Sequence, residues 1–297
     1  MTHKKLCCII PVGPNQVNND SLINSISRST SKEVEFILVL DSTPVLIARE
    51  IQDFSSIHSN VKILQCSSGN PGGARNLGMN EANSDWISFF DSDDEFSVDE
   101  IFNELVDLQN VPDVVIFSFS IESENKKEVF LNQSNLGINS HEELQNAISQ
   151  FPGIWRWVFN RESLKNSKFL ELKMGEDIVF LVNFLSVKRV FTLSSRVIYN
   201  YKVGNPSQLT KDLHAKQDLL MACRAAIAII SKNCSKFENK AAVDLTSLLL
   251  FSSLKHLNNI NRLRLFIPIL ASSVNNLGNF KLLIALVTKR VRVKYGS

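Results

Sequence analysis

An acidic cluster directly follows a short apolar run in the sequence. Residues 86–90 are aromatic and apolar, which predicts a buried strand, and Asp91, Asp93 and Asp94 come next. Because neighbouring carboxylates repel one another, a hard divalent cation such as Mn²⁺ or Mg²⁺ is their natural partner, and it usually shares its site with substrate phosphates. In α/β sheets ligands gather beyond the carboxyl ends of strands, where this cluster should lie. A solvated acidic turn, with Asp94 capping the next helix, is the alternative interpretation.

A glycine-rich segment precedes that strand. Ala74, Leu77, Gly78 and Ala82 recur at helical spacing, which predicts a helix with a narrow face of small residues. Such a face lets a helix approach a sheet or a ligand closely. Turn-forming residues at 83–85 end the helix before the strand begins.

Together the two segments resemble the core of a family 2 glycosyltransferase with the GT-A fold. The resemblance is carried by residues 72–78 (Gly-Gly-Ala-Arg-Asn-Leu-Gly) and 90–94 (Phe-Asp-Ser-Asp-Asp), which stand in the order and at the spacing typical of the family. It implies the α/β fold of the nucleotide-diphospho-sugar transferases, a mixed sheet flanked by helices. Either motif alone would be a weak signal, whereas the two in order are specific.

The resemblance also implies roles for the acidic loop and the helix before it. Asp91 and Asp93 would hold the divalent cation. Arg75, Asp91 and Ser92 would contact the nucleotide-sugar donor, and Asp94 would face the acceptor.

Three further positions match the donor-binding regions of the family. Pro11 lies in the opening strand, whose following loop approaches the nucleotide in the family. Asp41 follows the second predicted strand and would contact the base or ribose, although the glycine and second aspartate of the family pattern are missing here. Lys202 begins a segment that tends to close over the diphosphate. A plain turn residue for Asp41 and an exposed loop for Lys202 are the alternatives.

A second pair of carboxylates, Glu176 and Asp177, precedes an apolar helical stripe. An acidic residue there is favoured by the helix dipole, which is one explanation. The resemblance implies another, in which Asp177 is the general base that deprotonates the acceptor hydroxyl and Glu176 helps to bind the acceptor. Trp155 and Trp157 would line the acceptor site, and burial in the core is their alternative.

Size and composition restrict the remaining possibilities. At 297 residues the chain can hold one large domain, or one domain with a small appendage, and its net charge of +2 does not point to nucleic acid. The five cysteines lack metal-ligand spacing, so we expect buried, reduced thiols. The apolar run at residues 6–12 reads as a first strand rather than a signal peptide, and no run reaches the roughly 18 residues of a membrane span. We therefore expect a cytoplasmic protein.

The composition changes near residue 212, where glycine almost disappears and apolar residues recur at helical spacing. This predicts a small all-helical region in residues 212–297, which leaves residues 1–211 for the GT-A domain that the resemblance implies. The last helical stripe, in residues 283–294, is also basic. It either rests peripherally on the anionic cytoplasmic face of the inner membrane or packs on the catalytic domain.

These observations lead to one functional hypothesis and two alternatives. The hypothesis is an inverting transfer of a sugar, from a donor expected to be UDP-linked, to a hydroxyl of a glycan or lipid-linked glycan in surface polysaccharide biosynthesis. Inversion is implied by the resemblance. The alternatives are a non-catalytic GT-A binding module, which would predict a broken acidic loop, and a nucleotidyltransferase. The latter usually carries a glycine-rich loop with a basic residue after the first strand, which residues 13–16 lack.

Overall fold

The computed structural model describes residues 5–108, 110–132, 141–203, 215–232 and 240–256. The chain divides into two compact units, and both are discontinuous in sequence. The first comprises Met1–Asn139, Gly153–Asn166 and Arg189–Gln208, and the second comprises Ser140–Pro152, Ser167–Lys188 and Leu209–Ser297. Two segments that precede residue 212 therefore cluster with the C-terminal helices. The boundary between residues 211 and 212 itself stays a prediction.

The first unit contains every strand that the described residues form, together with four helices. The strands are β1 (Leu6–Val12), β2 (Val34–Asp41), β3 (Val61–Cys66), β4 (Trp86–Phe89), β5 (Glu95–Phe96), β6 (Val114–Ser123), β7 (Lys126–Phe130), β8 (Trp157–Asn160) and β9 (Phe191–Lys202). The helices are α1 (Asp20–Ser27), α2 (Val45–Ser56), α3 (Pro71–Glu81) and α4 (Val98–Asp107). Short 3-10 turns at Ile154–Arg156 and Arg161–Leu164 flank β8.

One mixed sheet joins these strands in the order β3-β2-β1-β4-β8-β6-β9-β5, and β7 pairs with β6. The four strands β3, β2, β1 and β4 are parallel, with Ile9 opposite both Ile37 and Phe89. Strand β8 is antiparallel to β4 and β6, whereas β6 and β9 run parallel. The prediction of a mixed α/β sheet is thus confirmed. Because β1, β2 and β4 run in one direction, the residues that follow them meet at the same edge of the sheet.

The continuously apolar β1 is a central strand, as its sequence predicts. Its residues Leu6 to Ile10 have no exposed surface, which fits a parallel strand covered on both faces. Helix α3 packs on this strand through its small residues. A Cβ atom added to Gly78 would lie 2.4 Å from Cγ2 of Ile9, so only glycine allows this approach without a shift of its neighbour. The predicted small-residue face of the helix is therefore confirmed.

A run of charged residues at 122–127 forms a hairpin in which Ser123 pairs with Lys126. Strand β7 has exposed side chains on both faces along Lys126 to Val129, so it carries no apolar alternation that could reveal it.

The described residues of the second unit form four helices. These are α5 (His141–Gln150), α6 (Glu176–Phe184), α7 (Ala215–Lys232) and α8 (Lys240–His256). Gly175 precedes α6 with φ +84°, and a Cβ atom there would lie 2.9 Å from the side chain of Ala222 in α7. Glycine is therefore required both by the backbone conformation and by the close approach of α7.

The helical character of the C-terminal region is confirmed as far as the described residues extend. Helix α7 buries Cys223, Ile227 and Ile230, which recur at helical spacing. The predicted basic helix at 283–294 lies outside the described residues. Among the helices that are described, none combines the length and the apolar character that crossing a membrane requires.

Candidate active site

The acidic cluster forms the loop between β4 and β5 at the carboxyl edge of the sheet, as the sequence predicts. Its side chains alternate between the surface and the interior. Ser92 and Asp94 are buried, at 7% and 2% exposed, whereas Asp91 and Asp93 are half-buried. The Ser92 hydroxyl donates a hydrogen bond to Oε1 of Gln16 over 2.7 Å, which ties the cluster to the loop after β1. The two predicted metal ligands are thus the two acidic side chains of the loop that retain access to solvent.

Asp94 is the buried carboxylate of the loop. Its Oδ2 accepts a hydrogen bond of 2.7 Å from the Tyr199 hydroxyl, and its Oδ1 accepts one of 2.8 Å from the Lys202 backbone N–H. Burial, reinforced by the charges of Asp93 and Asp91, raises the pKa of Asp94 to about 8. The carboxylate faces β9 inside the protein, which contradicts the prediction that it faces the acceptor.

Asp91, Asp93 and Asp94 lie within four consecutive positions of the loop, and this concentration of acidic side chains bears on cation binding. Within the part of the chain that the structure describes, no group of three or more His, Cys, Asp or Glu side chains is arranged to hold a metal ion by itself. A cation bound by Asp91 and Asp93 would therefore need further oxygen ligands from a substrate, as Mg²⁺ commonly does. The hard oxygen donors and the local negative charge fit such a cation.

Arg75 and Asp91 are brought together, as their predicted roles require. Nη2 of Arg75 donates to Oδ1 of Asp91 over 2.8 Å. The Arg75 side chain is 5% exposed and that of Asp91 is 38% exposed, so the guanidinium approaches the carboxylate from inside the protein. Arg75 lies in the second turn of α3, which begins at Pro71 and is capped by the Asn70 side chain accepting from Gly73 N–H at 2.7 Å. The cap and helix therefore determine where Arg75 meets the acidic loop.

Asp41 is buried at the end of β2, where it is 3% exposed. Its carboxylate accepts three hydrogen bonds from the loop before α3: from the Ser68 hydroxyl at 2.7 Å, Gly69 N–H at 2.9 Å and Asn70 N–H at 3.0 Å. These bonds hold the loop that leads into α3. Asp41 is therefore a structural anchor of this loop rather than a plain turn residue. Its contact with a nucleotide stays a prediction.

Two other predicted donor residues lie near this edge. Pro11 is the penultimate residue of β1 and stands opposite Val39. Lys202 ends β9, and its ammonium group bonds to Oε1 of Glu95 at 2.9 Å and to the Ser21 hydroxyl at 3.0 Å. The two groups form an ion pair, and hydrogen bonding to Lys202 lowers the pKa of Glu95. The rest of the predicted closing segment, residues 204–210, lies outside the described residues.

The two tryptophans predicted to line an acceptor site are buried. Trp155 is 4% exposed and stacks on Tyr199 with ring centroids 4.3 Å apart, and Trp157 is 1% exposed. The Trp157 indole N–H has no hydrogen-bond partner within the described part of the chain. Neither ring offers an open face to a sugar, so the structure contradicts the acceptor-stacking prediction and supports core packing.

The predicted catalytic pair lies in the first turn of α6, in the helical unit. Asp177 is half-buried and its Oδ1 accepts from the Ile178 N–H at 2.7 Å, whereas Glu176 is 5% exposed. This position at a helix N-terminus stabilises a carboxylate, as the sequence suggests. Both predicted roles stay predictions.

Sequence reasoning missed Tyr199 as a residue of the site. It is 1% exposed, and burial together with the Asp94 carboxylate raises the pKa of its hydroxyl well above the usual value, so it remains a proton donor. A signal was present, because Tyr199 directly follows the apolar pair Val197 and Ile198, and a tyrosine that is buried next to such a pair needs a hydrogen-bond partner. Nothing in the sequence identified that partner as Asp94, which lies 105 positions away.

Comparisons with known proteins cover most of the chain. The model for glycosyl transferase family 2 matches residues 17–191, more than half of its length. The uncharacterized glycosyltransferase EpsJ of Bacillus subtilis (strain 168) is 27% identical over 205 residues, which cover 65% of this chain and 59% of EpsJ. The GalNAc(5)-diNAcBac-PP-undecaprenol beta-1,3-glucosyltransferase of Campylobacter jejuni is 25% identical over 202 residues, 66% of this chain and 64% of that protein. The chain thus spans less than two thirds of either relative.

A solved structure resembles the whole chain. S. aureus TarS 1–349 in complex with UDP-GlcNAc matches with a TM-score of 0.62 at 16% identity, covering 99% of this chain and 92% of that one. At this identity the likeness shows the fold alone. It confirms the GT-A fold that the motifs predict.

Proposed function

The chain belongs to glycosyl transferase family 2, and on that premise we propose that it transfers a sugar from a nucleotide-diphosphate sugar to a hydroxyl group of a glycan acceptor in surface polysaccharide biosynthesis. The observation that carries the proposal is the arrangement of Asp91 and Asp93, two half-buried carboxylates at the carboxyl edge of the sheet, with Arg75 bonded to the first of them. Ligands of α/β proteins bind at this edge.

The donor is proposed to be UDP-linked and bound together with Mn²⁺ or Mg²⁺. The name of the TarS complex supports UDP-GlcNAc as a first candidate. A divalent cation held by Asp91 and Asp93 would supply Lewis acidity to the leaving diphosphate. Arg75 orients Asp91, Asp41 holds the loop before α3, and Pro11 lies at the same edge of the sheet.

Asp177 is proposed as the general base. The acceptor hydroxyl oxygen forms a bond to the anomeric carbon while the bond from that carbon to the diphosphate breaks, and the hydroxyl proton passes to the Asp177 carboxylate. Attack on the face opposite the leaving group inverts the anomeric configuration. The half-buried carboxylate at the start of α6 supports this role, and Glu176 beside it is proposed to help bind the acceptor.

A panel of nucleotide sugars tests the proposal, with donor hydrolysis and transfer to glycan acceptors as readouts. Asp177→Asn should abolish transfer and preserve binding of the nucleoside diphosphate, whereas Asp93→Asn should lose Mn²⁺-dependent binding. Asp53→Asn, on the exposed side of α2, is the matched control and should behave as the wild type. Full transfer by Asp177→Asn would remove that residue from the mechanism.

A pyrophosphate-release assay and a glycan-binding assay, run beside the donor panel, separate the alternative functions. A nucleotidyltransferase would release pyrophosphate from a nucleoside triphosphate and a sugar phosphate, and a non-catalytic module would bind a glycan without consuming any donor. Either result would overturn the proposal.

The acceptor is proposed to be a glycan or a lipid-linked glycan, which the name of the Campylobacter jejuni relative supports. The proposed peripheral contact of residues 283–294 with the cytoplasmic face of the membrane can be tested by co-sedimentation with vesicles. Binding to vesicles that contain phosphatidylglycerol, lost when the basic residues of this segment are replaced by glutamine, would support the contact. Equal sedimentation of the variant and the wild type would contradict it.

A further inference from the structure

The Tyr199 ring stacks on two other aromatic rings next to the acidic loop. It stacks against Trp155 with ring centroids 4.3 Å apart and against Phe90 with ring centroids 5.7 Å apart. Phe90 also stacks on Phe96, which follows the loop in the sequence. Phe90, directly before the acidic loop, and Phe96, two residues after it, therefore belong to one aromatic cluster, and this cluster fixes the position of the Tyr199 hydroxyl.

The Tyr199 hydroxyl contacts both ends of the loop. It donates a hydrogen bond to Oδ2 of Asp94 over 2.7 Å and accepts one from the Asp91 backbone N–H over 3.4 Å. The Lys202 backbone N–H, three positions further along β9, donates to Oδ1 of Asp94 over 2.8 Å. Both oxygens of Asp94 are thus bonded to β9.

We infer that Tyr199 and Asp94 are positioning residues of the site: their hydrogen bond holds the acidic loop so that the carboxylates of Asp91 and Asp93 face outward and are ready to bind the donor with its cation. The inference rests on the proposed function. The alternation of burial along the loop supports it, because the anchored Asp94 faces inward whereas Asp91 and Asp93 keep access to solvent. A loop fixed in advance loses less conformational freedom when a ligand binds, which strengthens binding without adding a contact.

The same bonds exclude an alternative in which Asp94 binds a ligand while Tyr199 only fills space. A carboxylate that is 2% exposed and bonded through both oxygens has no open side for a ligand. The replacement Tyr199→Phe removes only the hydroxyl and leaves the ring that packs against Phe90 and Trp155. It therefore separates the hydrogen bond from the packing.

A ligand-free measurement tests the inference without the proposed function. We compare amide hydrogen exchange of residues 91–96 in the wild type, Tyr199→Phe and Ser118→Ala. Ser118 donates a buried hydrogen bond of 3.0 Å to the Ser194 carbonyl oxygen and is the control for the loss of a buried hydroxyl in the neighbouring strand β6. Tyr199→Phe should exchange about tenfold faster in the loop, the effect of losing one hydrogen bond to a carboxylate, and Ser118→Ala should not. Unchanged exchange in Tyr199→Phe would overturn the inference.

Binding measurements with UDP and Mn²⁺ then connect the loop to the site. Tyr199→Phe and Asp94→Asn should each weaken binding about tenfold or more, and the double variant should be little worse than either, because both remove one interaction. For the preferred donor, KM should rise more than kcat falls, since ground-state binding is what the loop supports. If Asp93→Asn loses binding but Tyr199→Phe does not, the positioning role fails and the proposed function stands. If Asp93→Asn binds as the wild type does, the proposed function fails.

Discussion

The Arg75 guanidinium donates from Nη2 to Oδ1 of Asp91 over 2.8 Å, and the two partners differ in exposure. The arginine side chain is 5% exposed and the aspartate side chain 38%. This ion pair joins α3 to the acidic loop. Its two ends should respond differently to substitution, because only one of them can be solvated by water when its partner is removed.

Asp91→Ala should destabilise the protein more than Arg75→Met. Removal of Asp91 leaves a buried guanidinium without this carboxylate and should cost about 2 kcal/mol of unfolding free energy. Arg75→Met leaves the charge of Asp91 at the surface and keeps an apolar side chain in the interior, so its loss should be smaller. Urea unfolding of both variants measures the difference, and a larger loss in Arg75→Met would contradict this account of the pair.

Asp41→Asn should loosen the loop before α3. The amide nitrogen introduced at this position cannot accept a hydrogen bond, so at least one of the bonds from Ser68, Gly69 and Asn70 is lost. We expect a loss of about 1–3 kcal/mol in unfolding free energy, and about 1 kcal/mol for Ser68→Ala, which removes one neutral donor. Equal stability of Asp41→Asn and the wild type would show that the carboxylate does not hold the loop.

Gly78→Ala should be destabilising although alanine favours helices. The added Cβ atom would meet Cγ2 of Ile9 at 2.4 Å in the packed core, and the net loss should be about 1–2 kcal/mol after the gain in helix propensity. Gly13→Ala is the control, because a Cβ atom there would have no neighbour within 4 Å. The double variant Gly78→Ala with Ile9→Ala relieves the contact. Its loss of unfolding free energy should therefore be smaller than the sum of the losses in the two single variants. Strict additivity would count against a steric cause.

Cys8 should resist alkylation in the native protein. Its side chain has no exposed surface, and burial raises the pKa of its thiol to about 12 although the Ser88 hydroxyl bond opposes the shift. Raising the pH from about 7 to about 9, which strongly activates an ordinary thiol, should therefore leave Cys8 unlabelled by iodoacetamide. Peptide mapping by mass spectrometry reads the result, with urea-unfolded protein as the positive control. Native labelling of Cys8 that increases with pH would contradict this burial.

The Lys202–Glu95 ion pair should stabilise the protein near neutral pH and cease to do so in acid, where Glu95 is protonated. Hydrogen bonding to Lys202 lowers the pKa of Glu95, so the pair stabilises the folded state above the unfolded-state pKa of Glu95. The contribution is lost as the pH falls through the folded-state pKa, which lies below the usual value of 4.5. Glu95→Gln should therefore be less stable than the wild type near pH 7, and the difference should disappear in acid. Urea unfolding in EDTA measures both, and a difference that persists in acid would exclude the ion pair as its cause.

Local patterns in the sequence predicted much of the fold and part of the site. The apolar run of β1 and the small residues of α3 predict that these elements are buried. The acidic loop lies at the end of β4, as the motif predicts. Those features depend on residues close together in the sequence. Arg75 and Asp91 are only 16 positions apart, and the two motifs that stand in order along this short stretch located both.

The features that sequence reasoning missed depend on distant contacts. The residues next to Asp94 in the sequence do not reveal its contact with Tyr199, so the sequence predicts that Asp94 faces a ligand. Trp155 is likewise covered by Tyr199, which lies far from it in the sequence. The grouping of α5 and α6 with the C-terminal helices likewise depends on pairings across the chain. A motif can thus place an acidic loop at the end of a strand. It does not predict which of the acidic side chains faces inward.

The hydrogen bond from the Lys202 backbone to Asp94 spans 108 positions, so the acidic loop acquires its final shape only after β9 has joined the sheet. Contacts of such long range form slowly, because a large loop of chain must close first. A ribosome that has synthesised β1 to β5 has already made the acidic residues, but the strand that holds them in place, β9, is still to come. We therefore expect this corner of the protein to mature late during biosynthesis, and a truncation before residue 191 to leave it unformed.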